Sequence, residues 1–203
     1  MKQILGFSLL TKETIYFSIS RDPKERPKPP PPIATIFLIC IRIINLLMNL
    51  RPITNKDQLD LKKVYFDSIQ SIDEGIYNKE QKRSWSSQAW QNPNFENSIN
   101  KGKGWLINDK ETIIAFASRY PKNRIALFYC KGKSQRKGYG SKLLYKLEDE
   151  AKKEGLNHLY TEASLISYRL FLKHNWEIKS KEKVIINNNF FIRYKMIKIL
   201  LTK

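Results

Sequence analysis

Residues 124–155 constrain the fold more than any other stretch. The apolar run RIALFYC gives way to KGKSQRKGYG and then to SKLLYKLEDEAKKEG. In the last segment Leu143, Leu144, Leu147 and Ala151 recur at helical spacing. Lys142, Lys146, Glu148, Asp149, Lys152 and Lys153 fall on the other face, so the spacing predicts an amphipathic helix. Gly155 is placed to end it. A strand therefore leads through a glycine-bared turn into a helix. The start of such a helix exposes N–H groups without intrahelical partners and a partial positive charge. Gly138 and Gly140 remove the Cβ atoms that would keep a ligand off that backbone, and Arg136 and Lys137 add charge. Phosphate is the natural guest of such a site, so Gln135 to Ser141 read as a pyrophosphate cradle.

The flanking sequence supplies the rest of the architecture. NLRPI reads as a strand, and Thr54, Asn55 or Asp57 is placed to cap a helix carrying Leu59, Leu61, Val64, Tyr65, Ile69 and Ile72. NKEQKRSWSSQAW reads as a second, shorter helix, and NPNFENSIN as a turn followed by a short helical segment. GWLINDKETIIAFASRYPKNRIALFYCKG reads as three antiparallel strands, with turns at Asn108-Asp109-Lys110 and Pro121-Lys122-Asn123. LNHLYTEAS is a strand, SLISYRLFLKHN a helix with Ser164 as its cap, and the remainder two strands around Asn187-Asn188-Asn189. Antiparallel strands leading into a β-α-β unit imply a mixed sheet with helices on both faces.

Several alternatives fail on residue identity. GKS at 132–134 lacks the earlier glycine of a P-loop, because position 127 is leucine. The dinucleotide fingerprint G-x-G-x-x-G fails at Leu143. Cys40 and Cys130 are far apart and form no C-x-x-C, which argues against a disulfide framework or a cysteine zinc site. His158 and His174 are the only histidines, too few for a rich metal centre, so no metal is expected. His174, at a helix end, reads as exposed or capping.

What does fit is Q/R-x-x-G-x-G/A after a strand and at the start of an amphipathic helix, satisfied by QRKGYG at 135–140. With ALFYC before it, LRPIT, YTEAS followed by FLKHNW, and YKMIK, this resembles the GNAT superfamily of N-acetyltransferases over nearly all of residues 48–203. GIYNKEQKRSW is similar to a bacterial subgroup of undefined acceptor. The resemblance implies an α+β fold built on a mixed, mostly antiparallel six- to seven-stranded sheet with helices on both faces. It also implies acetyl-coenzyme A as co-substrate, bound by Gln135, Arg136, Lys137, Gly138, Tyr139, Gly140 and Ser141 and by the strand end Phe128, Tyr129 and Cys130. The acceptor would be a small-molecule or peptide amine that attacks directly, with both substrates bound.

Within that resemblance, N–H groups around Phe128 to Cys130 are the oxyanion donors and Glu162 the general base, against the plainer reading of Glu162 as a lysine-paired strand carboxylate. The family's usual acid, a tyrosine, falls at Phe171, which has no proton to give. Tyr168, one turn earlier, is the substitute, with Ser164 or water as further candidates. Asn175 stands in place of a helix-ending glycine and tolerates the same conformation, and Gly132 in place of a proline suggests a looser turn. Cys130 reads as packing rather than nucleophile. Trp85, Trp90 and Trp105 read as core or pocket walls. Tyr77 and Glu80 are candidates for the acceptor site, against packing and capping at a helix start.

Residues 1–47 are read apart from this domain. DPKERPKPPPPIAT is an extended linker by composition, and the apolar run at 33–48 is short for a membrane span and interrupted by Arg42 and Asn45. The segment is a weak membrane or interfacial anchor, a poorly ordered arm, or sequence upstream of a natural start at Met48; the strand-like opening MNLRPITNKDQ favours the last. Without an anchor there, no membrane association is expected, and the expected location is the cytoplasm. The net charge of +18 raises a nucleic-acid reading. Residues 1–47 hold seven Lys/Arg and three Asp/Glu, or +4, which leaves +14 dispersed through the domain with no recognition-helix or RNP-like motif, so no specific nucleic acid is expected. A domain of this fold that binds acyl-CoA without turnover is the other alternative, and a homodimer is left open.

Overall fold

The computed structural model describes residues 48–200, so the expectations for residues 1–47 lie outside the described residues. Seven strands form one sheet in the order β1-β2-β3-β4-β5-β7-β6. They are β1 (Met48–Pro52), β2 (Lys103–Asp109), β3 (Thr112–Arg119), β4 (Arg124–Cys130), β5 (His158–Ser164), β6 (Glu177–Ile186) and β7 (Asn189–Ile199). All neighbours are antiparallel except β4 and β5. The mixed, mostly antiparallel sheet expected from the sequence is therefore present. Pro52 is tolerated because β1 is an edge strand. Asn187 and Asn188 turn the β6–β7 hairpin at φ 45° and 65°, left-handed values that asparagine accepts.

One face of the sheet carries α1 (Gln58–Gln70), α2 (Lys79–Ser86), α3 (Gln88–Gln91) and α4 (Pro93–Asn100). Leu61, Val64, Tyr65 and Ile69 of α1 pack there with Phe95, Ile99, Leu106 and Phe116. Leu59, counted with the apolar stripe, is instead 62% exposed, because its spacing turns it away from the sheet. Asp57 ends a 3-10 turn before α1; its carboxylate accepts from the Thr54 N–H and hydroxyl, both at 2.8 Å, and is clamped by Arg51 at 2.6 Å. An Asn78–Gln81 capping box starts α2. The single helix expected over NKEQKRSWSSQAW is broken at Ser87 into α2 and α3. Asn92 and Pro93 start α4 as cap and first-turn proline.

The other face carries α5 (Tyr139–Lys153) and α6 (Tyr168–Lys173). Leu143, Leu144, Leu147 and Ala151 are all at or below 1% exposure, each buried leucine contributing about 1.5–3 kcal/mol. Gly155, at φ 72°, closes α5: the Leu156 N–H reaches Ala151 O and the Gly155 N–H reaches Lys152 O. Glu148, expected on the polar face, is buried. It accepts from Trp176 Nε1 at 2.8 Å and Lys198 Nζ at 2.6 Å, a partnership that α5 alone does not reveal. α6 begins at Tyr168, later than expected. Ser164 instead caps the turn before it, its Oγ accepting the Ile166 and Ser167 N–H groups at 3.3 and 3.2 Å.

Candidate functional site

The parallel pair β4–β5 is short. Its register covers only Arg124↔Tyr160 and Ile125↔Thr161. The Thr161 hydroxyl donates to Ile125 O at 2.9 Å at the point where the strands part. Beyond it β4 stays on β3 as far as Cys130, and β5 stays on β7 as far as Ser164. The last residues of β4, Phe128 to Cys130, thus face a wedge between the two strands rather than a paired neighbour. An extended polar chain laid in such a wedge would find unused backbone groups along one wall.

The loop Gln135–Ser141 closes the top of this wedge. Arg136 lies at φ 62° and Gly138 at φ 87°, so the backbone curls into a concave row of N–H groups before α5 begins. Among the described residues, the N–H groups of Arg136, Lys137, Gly138, Tyr139, Gly140 and Ser141 have no hydrogen-bond partner; the first satisfied one is Lys142, which reaches Gly138 O. A Cβ on Gly138 would meet nothing within 4 Å, so this glycine is needed for its conformation and for open approach. Gly140 differs. A Cβ there would lie 3.1 Å from Leu170 and 3.5 Å from Phe128, so its absence lets α5 sit against α6 and β4.

The side chains of the loop divide between solvent and core. Arg136 and Lys137 are exposed, while the Tyr139 ring is buried in the core and only its N–H joins the row. The Gln135 amide reaches back to Cys130 O at 3.4 Å and ties the loop to the strand. Gly132 corrects the expectation of a looser turn. Its N–H donates to Asp67 at 2.8 Å, and a Cβ would lie 2.3 Å from the Ser71 side chain, so proline is excluded and the turn is pinned to α1.

Glu162 points to the α1–α2 face, where Arg124 donates to its Oε2 from Nε at 2.8 Å. Its partner is thus arginine, from the neighbouring strand, not a lysine. Ser164 shares its turn with Ser167, the two hydroxyls 3.1 Å apart. Tyr168 stacks on Tyr194 with centroids 4.6 Å apart, and its hydroxyl accepts from Arg169 Nε at 3.3 Å. Phe171 is a core residue, against Phe128 at 5.3 Å and Trp176 at 4.9 Å. Burial pushes the Cys130 thiol up to about 11, with nearby Asp67 adding to it, so it stays protonated at neutral pH and is a poor nucleophile. Burial likewise pushes the Tyr129 hydroxyl up to about 12. No group of three or more potential metal ligands occurs among the described residues, and no described helix is long and apolar enough to cross a membrane.

Sequence reasoning missed His174. Rather than exposed, it is buried at 8% exposure. Its Nε2 lies 2.8 Å from Ser141 Oγ and its ring stands edge-on to Tyr145 at 4.7 Å. Burial depresses its pKa; Glu148 opposes this, while Lys198 and Lys173 add to it. A neutral imidazole therefore holds the hydroxyl of the loop's last residue. Only the contact of α6 with α5 reveals this, so no local signal marked it. Asn175 takes φ 59°, as its place at a helix end required.

On the opposite face, α1 and α2–α3 stand over the β6–β7 hairpin around a cavity of about 490 Å³. Tyr65, Trp85, Gln88, Val184, Ile186 and Arg193 are among its walls. Trp85 is the wall residue the sequence suggested. Trp90 is 52% exposed, and Trp105 carries Lys146 over its ring at 4.0 Å. Tyr77 is buried, its hydroxyl accepting from the Leu165 N–H at 3.2 Å, while Glu80 is exposed in the first turn of α2.

The sequence matches the acetyltransferase (GNAT) family over residues 66–176, more than half of the chain. No curated protein matches it. A GCN5-related N-acetyltransferase structure from Rhodopseudomonas palustris superimposes with a TM-score of 0.70 at 24% identity, covering 75% of this chain and 95% of that one. The PaiA N-acetyltransferase of Thermoplasma acidophilum, solved in complex with coenzyme A, gives 0.60 at 17% identity over 75% and 98%. The yncA protein of Salmonella typhimurium, solved with its cofactor acetyl-CoA, gives 0.53 at 15% identity over 77% and 95%. At these identities the structural likenesses establish the fold.

Proposed function

The chain belongs to the GNAT acetyltransferase family, and on that premise we propose that it is an N-acetyltransferase that moves the acetyl group of acetyl-coenzyme A to an amine by direct attack, with both substrates bound. The observation that carries the reading is the unpaired N–H row from Arg136 to Ser141, bent around a glycine at φ 87° and set beside the open end of β4. A diphosphate fits that row: its charge is matched by the start of α5 and by Arg136 and Lys137, and nothing obstructs it at Gly138. Acetyl-coenzyme A supplies an activated thioester.

The residues of this chain then have separable roles. The loop and the wedge position the donor, a large share of any acceleration. N–H groups near Phe128, Tyr129 and Cys130 stabilise the oxyanion. Glu162 accepts the amine proton, directly or through water; with Oε2 committed to Arg124, Oε1 is the atom for the task. As the new C–N bond forms and the C–S bond breaks, the departing thiolate takes a proton from Tyr168, from Ser164 or from water.

One observation favours a second reading, a module that binds acyl-CoA with little turnover. Phe171 carries no hydroxyl and is packed into the core, and the Ser164 hydroxyl is engaged in its turn. One assay separates the two. Acetyl-CoA is mixed with a panel of amines and free thiol is followed, with acetyl-CoA binding measured in parallel by calorimetry. Thiol release with an acceptor is expected; binding without release would give the second reading, and absence of binding would remove both.

A further inference from the structure

The face of the sheet beneath the cavity is lined by an unusual run of charge. Period-2 alternation puts Glu162 of β5, and Lys195 and Arg193 of β7, on the α1–α2 face, with Ala163 and Tyr194 packed on the other. Glu162 stands opposite Lys195, and Ser164 opposite Arg193. Arg124 holds Glu162 from one side. On the other side Glu182 of β6 takes both Arg193 Nε and Lys195 Nζ. Arg124, Lys195 and Arg193 thus share two carboxylates, Glu162 and Glu182, leaving one cation in surplus.

The surplus is directed. Arg193 lines the cavity and uses only Nε toward Glu182; among the described residues its two Nη groups have no hydrogen-bond partner. A guanidinium presented this way offers a planar fork that matches a carboxylate. No acidic residue is among the cavity's described lining residues. The remaining walls divide into an apolar side, Tyr65 and Trp85 on the helices with Val184 and Ile186 on β6, and an amide side of Gln88, Asn92 and Asn187.

We propose that the acceptor is a free amino acid with a large apolar side chain, its carboxylate held by the Arg193 fork and its amine directed to Glu162. This rests on the acetyltransferase reading and deepens it. Glu162 and Arg193 are diagonal neighbours across the β5–β7 pair, on the same face of the sheet, with Cα atoms about 7–8 Å apart. The apolar side chain then occupies the Tyr65–Trp85 side of the cavity, whose 490 Å³ suits a single residue. Polyamines, with a second ammonium and no carboxylate, meet Arg193 and Lys195 unfavourably.

The test compares L-phenylalanine, L-phenylalaninamide, 2-phenylethylamine and spermidine under saturating acetyl-CoA, with free thiol as readout. The acid should exceed the amide by roughly tenfold or more in kcat/KM, the scale of one charge-assisted bidentate contact. Arg193→Gln should collapse that ratio to about unity, through KM, and Arg193→Lys should restore part of it. An amide or polyamine preferred over the acid overturns the proposal, as does a ratio unchanged in Arg193→Gln. If no amine releases thiol, calorimetry with N-acetyl-L-phenylalanine and its amide still reads the pocket: a roughly tenfold preference for the acid sustains the inference although the enzymatic reading has failed, and equal or absent binding sinks it.

Discussion

The loop Gln135–Ser141 and the cavity walled by Tyr65, Trp85 and Arg193 lie toward opposite faces of one sheet, and they are assembled from different material. The loop is contiguous, and its chemistry is that of the backbone: N–H groups set free by a helix start and by the positive φ of Arg136 and Gly138. The cavity joins side chains from α1, α2 and the β6–β7 hairpin, up to 128 positions apart between Tyr65 and Arg193. A backbone site tolerates almost any change of surrounding side chains provided its glycine is kept. A side-chain site is free to be rewritten one residue at a time.

The comparison is broken most directly at Gly138. Gly138→Val requires a β-branched residue at φ 87°, which is strained by about 1–3 kcal/mol and puts a methyl group where a Cβ now meets nothing. Together with Gly140→Leu, the expected loss of acetyl-CoA affinity in calorimetry is about 100-fold or more, with a far-UV spectrum that still reports a folded protein. The single Gly138→Val variant isolates the loop, because Gly140→Leu also strikes Leu170 and Phe128. Affinity unchanged in a folded Gly138→Val protein would sink the backbone half of the comparison.

The next largest effect is expected where the two halves meet. Glu162→Gln should lower kcat by about 100-fold, the lower range for a general base, while acetyl-CoA affinity stays the same. A parallel loss of affinity would instead mean that the Arg124–Glu162 pair maintains the wedge between β4 and β5. Tyr168→Phe should lower turnover several-fold with little change in donor binding; unchanged turnover would remove Tyr168 from the reaction.

The smallest effect concerns the brace behind the loop. Burial holds the His174 pKa below its ordinary 6.5. The unfolded chain therefore binds that proton more readily than the folded one. Stability contributed by this group is full above pH 6.5 and declines as the pH falls below it, until the folded protein also protonates. A melting-temperature profile between pH 8 and 5 should show this decline in the wild type and a flatter course in His174→Gln. Identical profiles would mean that His174 is not held neutral against Ser141.

The parts of the fold legible in the sequence were those fixed by local chemistry. The stripe of Leu143, Leu144, Leu147 and Ala151 gave the buried face of α5, Gly155 its end, and Asn187-Asn188 the hairpin turn. Ser87 broke a helix that composition alone would continue, since serines and glutamine give no strong stop signal. Glu148 was misplaced because a carboxylate on an amphipathic helix ordinarily faces water. Here Trp176 and Lys198, distant in sequence, bring a donor and a charge that allow its burial. Gly132 misled for a similar reason: its constraint is Ser71, on another helix.

By itself, the sequence determined the alternation of strands and helices and the place where backbone N–H groups would be laid bare, because periodicity and glycine conformation act within a few residues. Only the tertiary structure decided which charges face each other. Arg124 beside Glu162, His174 behind Ser141 and the open fork of Arg193 over the cavity depend on strand order, on the early parting of β4 from β5, and on burial, which act between residues the chain holds far apart.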